Sequence, residues 1–289
     1  MTKNQLFKIH NIVACTLVLL MTIFSAMAAA QGTSAGVAEH LDIDYVAGQD
    51  YANGKDRLDV FMPEGATNVP VMVYFHGGAL LFGSKEIGHG LAKQLAARGV
   101  GVVCANYRLS PSVSHPAHMK DAAAAFAWTK KNIKKYGGNP NRVFVAGHSA
   151  GGYLAALLSL DPSYLSVHGM TLGDIRGTIL ISAFLYVEEQ DVAPSRPKTV
   201  WGTDEQIWLK ASATPYIGAD KPAMLLLYAD GDALWRREQN DRLKAELIAH
   251  GNSVELAMIS DRTHSSINTK MGENDDIAMA KIGTFVANH

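Results

Sequence analysis

The chain has 289 residues, 48% of them hydrophobic and 18% charged, and its 26 basic and 27 acidic side chains leave a net charge of −1. This balance excludes a disordered chain, a basic nucleic-acid footprint and a strongly acidic field, so the expected partner is a small or neutral molecule and no nucleic acid. The length suits one large domain with a substantial core.

At the amino terminus, Lys3 and Lys8 precede an apolar run over 12–27 that ends in Ala28, Ala29 and Ala30. This reads as a signal peptide over 1–30, cleaved after Ala28 or Ala30, because about 16 apolar residues fall short of the roughly 20 needed to span a bilayer. The expectation is an exported protein, periplasmic or secreted, with no stable membrane insertion after processing and a folded domain over 31–289. Cleavage would remove Cys15 and leave Cys104, which lies in the apolar run 100–107 and reads as a buried, inert thiol.

Alternating patterns predict two strands over 40–46 and 57–62, joined through the turn signals Gly48 and Asn53-Gly54. The run 70–75 is continuously apolar, as expected of a strand buried on both faces. From there strands and helices alternate: helix 87–98, strand 100–107, helix 119–136, strand 142–146, helix 153–160, then strands 177–182 and 223–228, helix 238–250, strand 253–259 and helix 276–287. Such repetition implies an α/β protein with a mostly parallel central sheet and helices on both faces, the opening strand pair forming an antiparallel edge. Residues 184–217 interrupt the alternation with Trp201, Trp208 and several prolines and charges, and read as a cap or pocket wall.

One stretch concentrates the chemistry. The apolar strand ending at Ala146 runs into Gly147-His148-Ser149-Ala150-Gly151, a G-x-S-x-G nucleophile elbow in which a sharp strand-to-helix turn exposes the serine. Gly147 and Gly151 are expected where a Cβ would strike neighbouring backbone. After the strand 70–75 comes His76-Gly77-Gly78-Ala79, whose backbone N–H groups can turn inward as an oxyanion hole. Gly77 is expected to supply the turn, and Gly78, Ala79 and Ala150 the donors. His76 reads as a brace for this loop, and His148 lies too close to Ser149 along the chain to act as its base.

An elbow of this kind takes its partners later, in the order serine, acid, histidine. Of the histidines that follow the late strands, His250 closes a helix and His289 is terminal, so His264 in the loop after 253–259 is the expected base. The acid should follow strand 223–228, where both Asp230 and Asp232 qualify. Asp230 precedes a glycine and suits the turn itself, whereas Asp232 stands further along the loop and is favoured.

Several spaced motifs, His76-Gly77-Gly78, Asn106-Tyr107-Arg108-Leu109-Ser110-Pro111, His115-Pro116, Asp121-Ala122, Tyr136-Gly137-Gly138-Asn139-Pro140 and the elbow, resemble the α/β-hydrolase esterase/lipase superfamily. The likeness is greatest to the carboxylesterase branch that also holds hormone-sensitive-lipase-like esterases and kynurenine formamidases, and it covers 58–286. It implies the α/β-hydrolase fold, places the acid motif on 229–232 with Asp232 as the acid, and places the catalytic histidine on His264. Ala79, Leu80, Ala229 and Ala233 depart from the family pattern without removing a catalytic group.

The expected activity is hydrolysis of a small carboxylic ester by Ser149, His264 and Asp232 through an acyl-enzyme, with no metal or organic cofactor called for. An arylformamidase using the same site and a non-catalytic binding module on the same fold are the alternatives. Leu80, Leu81 and Phe82, together with Tyr186, Trp201 and Trp208, are expected to line a bounded apolar pocket that favours short acyl chains of about two to six carbons.

Overall fold

The computed structural model describes residues 36–189, 197–273 and 276–289. The signal-peptide reading of 1–30, Cys15 and the segment 190–196 of the expected cap lie outside the described residues. Residues Gly36–His289 form a single compact unit.

Eight strands, β1 (Val37–Asp44), β2 (Arg57–Pro63), β3 (Val69–Phe75), β4 (Gly101–Ala105), β5 (Gly138–His148), β6 (Thr178–Ile181), β7 (Met224–Gly231) and β8 (Val254–Thr263), make one sheet in the order β1-β2-β4-β3-β5-β6-β7-β8. The pairs β1·β2 and β2·β4 are antiparallel and all the others parallel, so the opening strands form the antiparallel edge expected of them. The crossover between neighbouring parallel strands requires helices on the faces, and these are α1 (His89–Ala96), α2 (Ala117–Asn132), α3 (Ala150–Leu160), α6 (Leu234–Ala249) and α8 (Ile277–Asn288). Shorter helices α4 (Ser163–Ser166), α5 (Glu205–Lys210) and α7 (Ser266–Thr269) lie in the connections.

Because successive side chains of a strand point to opposite faces, the sheet divides the core in two. Val71, Val73, Phe75, Val143 and Val145 pack with residues of α2, α3 and α6. Met72, Tyr74, Phe144 and Ala146 face α1 and α8. Each such valine, phenylalanine or methionine side chain, removed wholly from water, contributes roughly 1.5–3 kcal/mol against chain entropy. Cys104 is a free thiol buried on the second face, and its burial pushes its pKa up. Among the described residues no helix is long and apolar enough to cross a membrane.

In the segment 184–217 the structure departs from the sequence expectation. Tyr186 and Trp201 are wholly buried in the larger core. Trp201 stands edge-on to Tyr153 and to Phe184, which stack on each other at 4.7 Å. Trp208 is half-buried against the same core and donates its indole N–H to the Gly202 carbonyl. The large apolar area of these rings is better removed from water by the flank of α3 than by an open pocket.

Candidate active site

All the strand carboxyl ends that matter converge at the centre of the sheet. β5 ends in the elbow, and Ser149 takes φ 54° and ψ −115°, strained geometry for a residue with a side chain. It is held there by its N–H, which donates to Ile181 O at 2.8 Å. A Cβ on Gly147 would come within 2.2 Å of the Gly151 carbonyl carbon, and one on Gly151 within 1.9 Å of Phe75 O, so only glycine permits this approach of α3 to β3 and β5.

Ser149 Oγ lies 3.0 Å from His264 Nε2, and His264 Nδ1 lies 2.6 Å from Asp232 Oδ1. Asp232 is an acceptor, so Nδ1 carries the proton and Nε2 faces the serine with its lone pair. Burial pushes the Asp232 carboxyl up, but hydrogen bonds from His264, from Ser182 and from the Ala229 N–H outweigh it and hold the group below its ordinary value. The Ser182 hydroxyl bond is 2.5 Å and the Ala229 bond 2.9 Å. Arg236, four residues on, places Nε 3.6 Å from Asp232 Oδ1 and donates Nη1 to Ser182 O at 2.8 Å.

Asp230 does something else. Its carboxylate accepts the N–H groups of Asp261 and Arg262 at 2.9 and 3.1 Å, and these bonds lower its pKa. It thus pins the end of β8 that leads into His264, and does not touch the imidazole.

The loop after β3 differs in one respect from the expectation that Gly77 makes its turn. Positive φ falls on Gly78 (124°), Ala79 (57°) and Leu80 (63°). Gly77 is constrained by space, since a Cβ there would meet His148 Nδ1 at 2.9 Å and Ser149 Cβ at 3.4 Å. Ala79 in the left-handed region costs roughly 1–2 kcal/mol, which the surroundings must offset. Leu80 turns into the core and is buried, so it forms no part of the cleft wall. The N–H groups of Gly78 and Ala79 donate to no acceptor among the described residues, and the N–H of Ala150, first in α3, has no intrahelical acceptor.

His76 stacks on Tyr107 at 4.3 Å and donates Nδ1–H to Gly77 O at 2.7 Å, while the Tyr107 hydroxyl donates to His76 O. Burial lowers the His76 pKa to about 4, so it is a neutral prop. The Asn106-Tyr107-Arg108 stretch is tied in by Arg108, which grips Asp121 through two bonds of 2.8 and 2.6 Å. His148, whose pKa burial also lowers to about 4, donates Nε2–H to His264 O at 2.7 Å. It positions the backbone of His264 rather than the serine.

These groups open into a cleft of about 370 Å3. Its wall includes Phe82, Ile87 and Arg236, and beyond His264 the side chains Ser265, Asn268 and Thr269. Tyr186, Trp201 and Trp208 are not among the described residues that line it. Sequence reasoning missed Ser182, Arg236 and Asn268; the one local signal for Ser182 was a polar residue closing an apolar strand.

The chain resembles proteins of known name. Esterase LipC of Mycobacterium tuberculosis is 41% identical over 99 residues, 33% of this chain and 25% of that protein. The probable carboxylic ester hydrolase LipM of the same organism is 31% identical over 182 residues, 57% of this chain and 42% of that protein. The chain therefore spans less than half the length of the curated relatives it matches. Among solved structures, esterase B from Lactobacillus rhamnosis superposes with a TM-score of 0.75 at 17% identity, covering 96% of this chain and 94% of that one. A truncated carbohydrate esterase from gut microbiota gives 0.74 at 19% identity, covering 88% of this chain and 96% of that one. At these identities the structures speak for the fold alone. The family model described as alpha/beta hydrolase fold matches residues 72–268, from β3 through the elbow to α7 beyond His264, and the chain belongs to that family.

Proposed function

We propose that the protein is a serine carboxylic-ester hydrolase in which Ser149 is the nucleophile, His264 the base and Asp232 the residue that fixes the imidazole. The observation that carries this reading is the continuous run Asp232 Oδ1–His264–Ser149 Oγ, with separations of 2.6 and 3.0 Å. The names of the curated relatives favour the same activity.

In this mechanism Ser149 Oγ attacks the ester carbonyl as its proton passes to His264 Nε2, and Asp232 stabilises the imidazolium without taking the proton. The N–H groups of Gly78, Ala79 and Ala150 receive the oxyanion, each worth about 3 kcal/mol of barrier. His264 then protonates the departing alcohol, and water activated by the same imidazole releases the acid.

A fluorophosphonate probe tests the nucleophile: it should label the wild-type protein and leave Ser149→Ala unlabelled. Persistent labelling of the variant, or none of the wild type, overturns the reading. The cleft also bounds the acyl group. Each added methylene gains at most about 0.8 kcal/mol while there is room, and overpacking costs roughly 1–3 kcal/mol once there is none. Across a series of acyl esters, kcat/KM should peak within about two to six carbons. Higher kcat/KM on emulsified long-chain triglyceride than on soluble short esters would make the protein a lipase instead.

A further inference from the structure

We infer that the alcohol half of the substrate is polyhydroxylated and that Asn268 recognises it; this rests on the serine-esterase reading above. Asn268 belongs to α7, directly after His264, and is 7% exposed although it lines the cleft. Its orientation is fixed from behind. The Tyr74 hydroxyl, rising from β3 through the core, donates to Asn268 Oδ1 at 2.6 Å. That bond leaves the two hydrogens of Nδ2 with no acceptor among the described residues, and the nitrogen is not sealed from the cleft. A buried amide anchored by one end and free at the other is a preorganised donor, and a substrate oxygen would satisfy it.

The position identifies which half of the ester meets it. His264 Nε2 must hand its proton to the leaving oxygen, so the departing alcohol has to lie on the imidazole side of Ser149. The chain that continues from His264 supplies that side: Ser265 and Thr269 add two hydroxyls to the wall beside Asn268. Phe82 and Ile87, 64% and 45% exposed, give the same cleft an apolar surface for carbon–hydrogen faces. Fixed donors and hydroxyls beside an apolar platform suit a polyol or sugar alcohol, which offers both kinds of surface in one molecule. A plain alkyl alcohol would leave the Asn268 donor unsatisfied once water is displaced, and sites built to bond a substrate hydroxyl discriminate against analogues that lack it.

The test compares glycerol monoacetate with n-propyl acetate, which share an acyl group and a three-carbon alcohol and differ by two hydroxyls. The ratio of their kcat/KM values, divided by the ratio of their alkaline hydrolysis rates, should exceed unity by about tenfold in the wild-type protein. Asn268→Leu should bring that corrected ratio to near unity, chiefly through KM for the glycerol ester. Asn268→Asp keeps the shape and the acceptor for Tyr74 but removes both donors, and should lower the ratio even if the leucine variant does not fold. A corrected wild-type ratio near unity, or a ratio that neither variant changes, overturns the inference. Hydrolysis of both esters without preference would defeat this inference and leave the esterase reading standing, whereas hydrolysis of neither, with no fluorophosphonate labelling, would defeat the esterase reading itself.

Discussion

Asp230 and Asp232 are separated by one glycine, yet their carboxylates face different partners: backbone N–H groups of β8 for the first, the His264 ring and the Ser182 hydroxyl for the second. Replacing Asp232 by Asn removes the acceptor that holds the imidazole tautomer, and kcat should fall on the order of a thousand- to ten-thousandfold with the fold intact. Asp230→Asn keeps an acceptor oxygen for only one of the two N–H groups of Asp261 and Arg262, but it leaves the imidazole untouched and should cost less than about tenfold. Steady-state kinetics on one soluble ester, with circular dichroism as the folding control, decides between them; a larger loss at Asp230 would transfer the acid role to it. At this scale the meeting of Ser149, Asp232 and His264 could be expected from sequence because each sits at a strand end marked by local chemistry. The residues that hold them were not: Ser182 reaches Asp232 across 50 positions, His148 reaches His264 across 116, and Tyr74 reaches Asn268 across 194. No pattern within a window of sequence encodes a contact of that span.

At the scale of the elements, the parallel strands were readable as continuous apolar runs because burial on both faces requires them to be so. Their ends were less so. β8 continues four residues past the apolar stretch, through polar Ser260 to Thr263, since Gly231 pairs with Thr263 after a register shift and Asp230 binds the intervening N–H groups. α3 begins at Ala150 with no lead-in, where helix propensity alone would start it later, because the elbow delivers the chain already turned. The aromatic residues of 184–217 misled for the opposite reason. A tryptophan in an irregular segment has the same composition whether it faces a ligand or seals a core, and the packing of Trp201 edge-on to the stacked Tyr153 and Phe184 settles the matter only in three dimensions.

Taken whole, the molecule spends its histidines in an unusual way, and this sets its response to acid. His76, His118 and His148 are buried and His115 is half-buried, and desolvation lowers the pKa of each to about 4. Their charged neighbours come after burial as causes: Lys55 and Glu86 oppose each other near His76, Asp161 faces His115, His115 and Arg108 face His118, and His264, Arg236 and Asp232 surround His148. His76 Nε2, His115 Nδ1 and His118 Nδ1 have no hydrogen-bond partner among the described residues, so protonation in place would gain no hydrogen bond there. In the unfolded chain a histidine titrates near 6.5. Between about 6.5 and 4, therefore, the unfolded state binds protons that the folded state refuses, and stability must fall as pH falls; above 6.5 the contribution is fully present. One such group gives a slope of about 1.4 kcal/mol per pH unit, and four together reach on the order of 5 at the steepest. Against a total stability of roughly 5–15 kcal/mol, such a slope removes a large part of the margin by pH 5. Asp232, held below its ordinary value, acts in the same direction but only at lower pH, beneath the usual carboxylate range near 4. Urea melts between pH 8 and 5 should show a midpoint that is level at the top of the range and drops steeply below about 6.5. A midpoint unchanged from pH 7 to 5 would mean that the buried imidazoles accept protons within the fold.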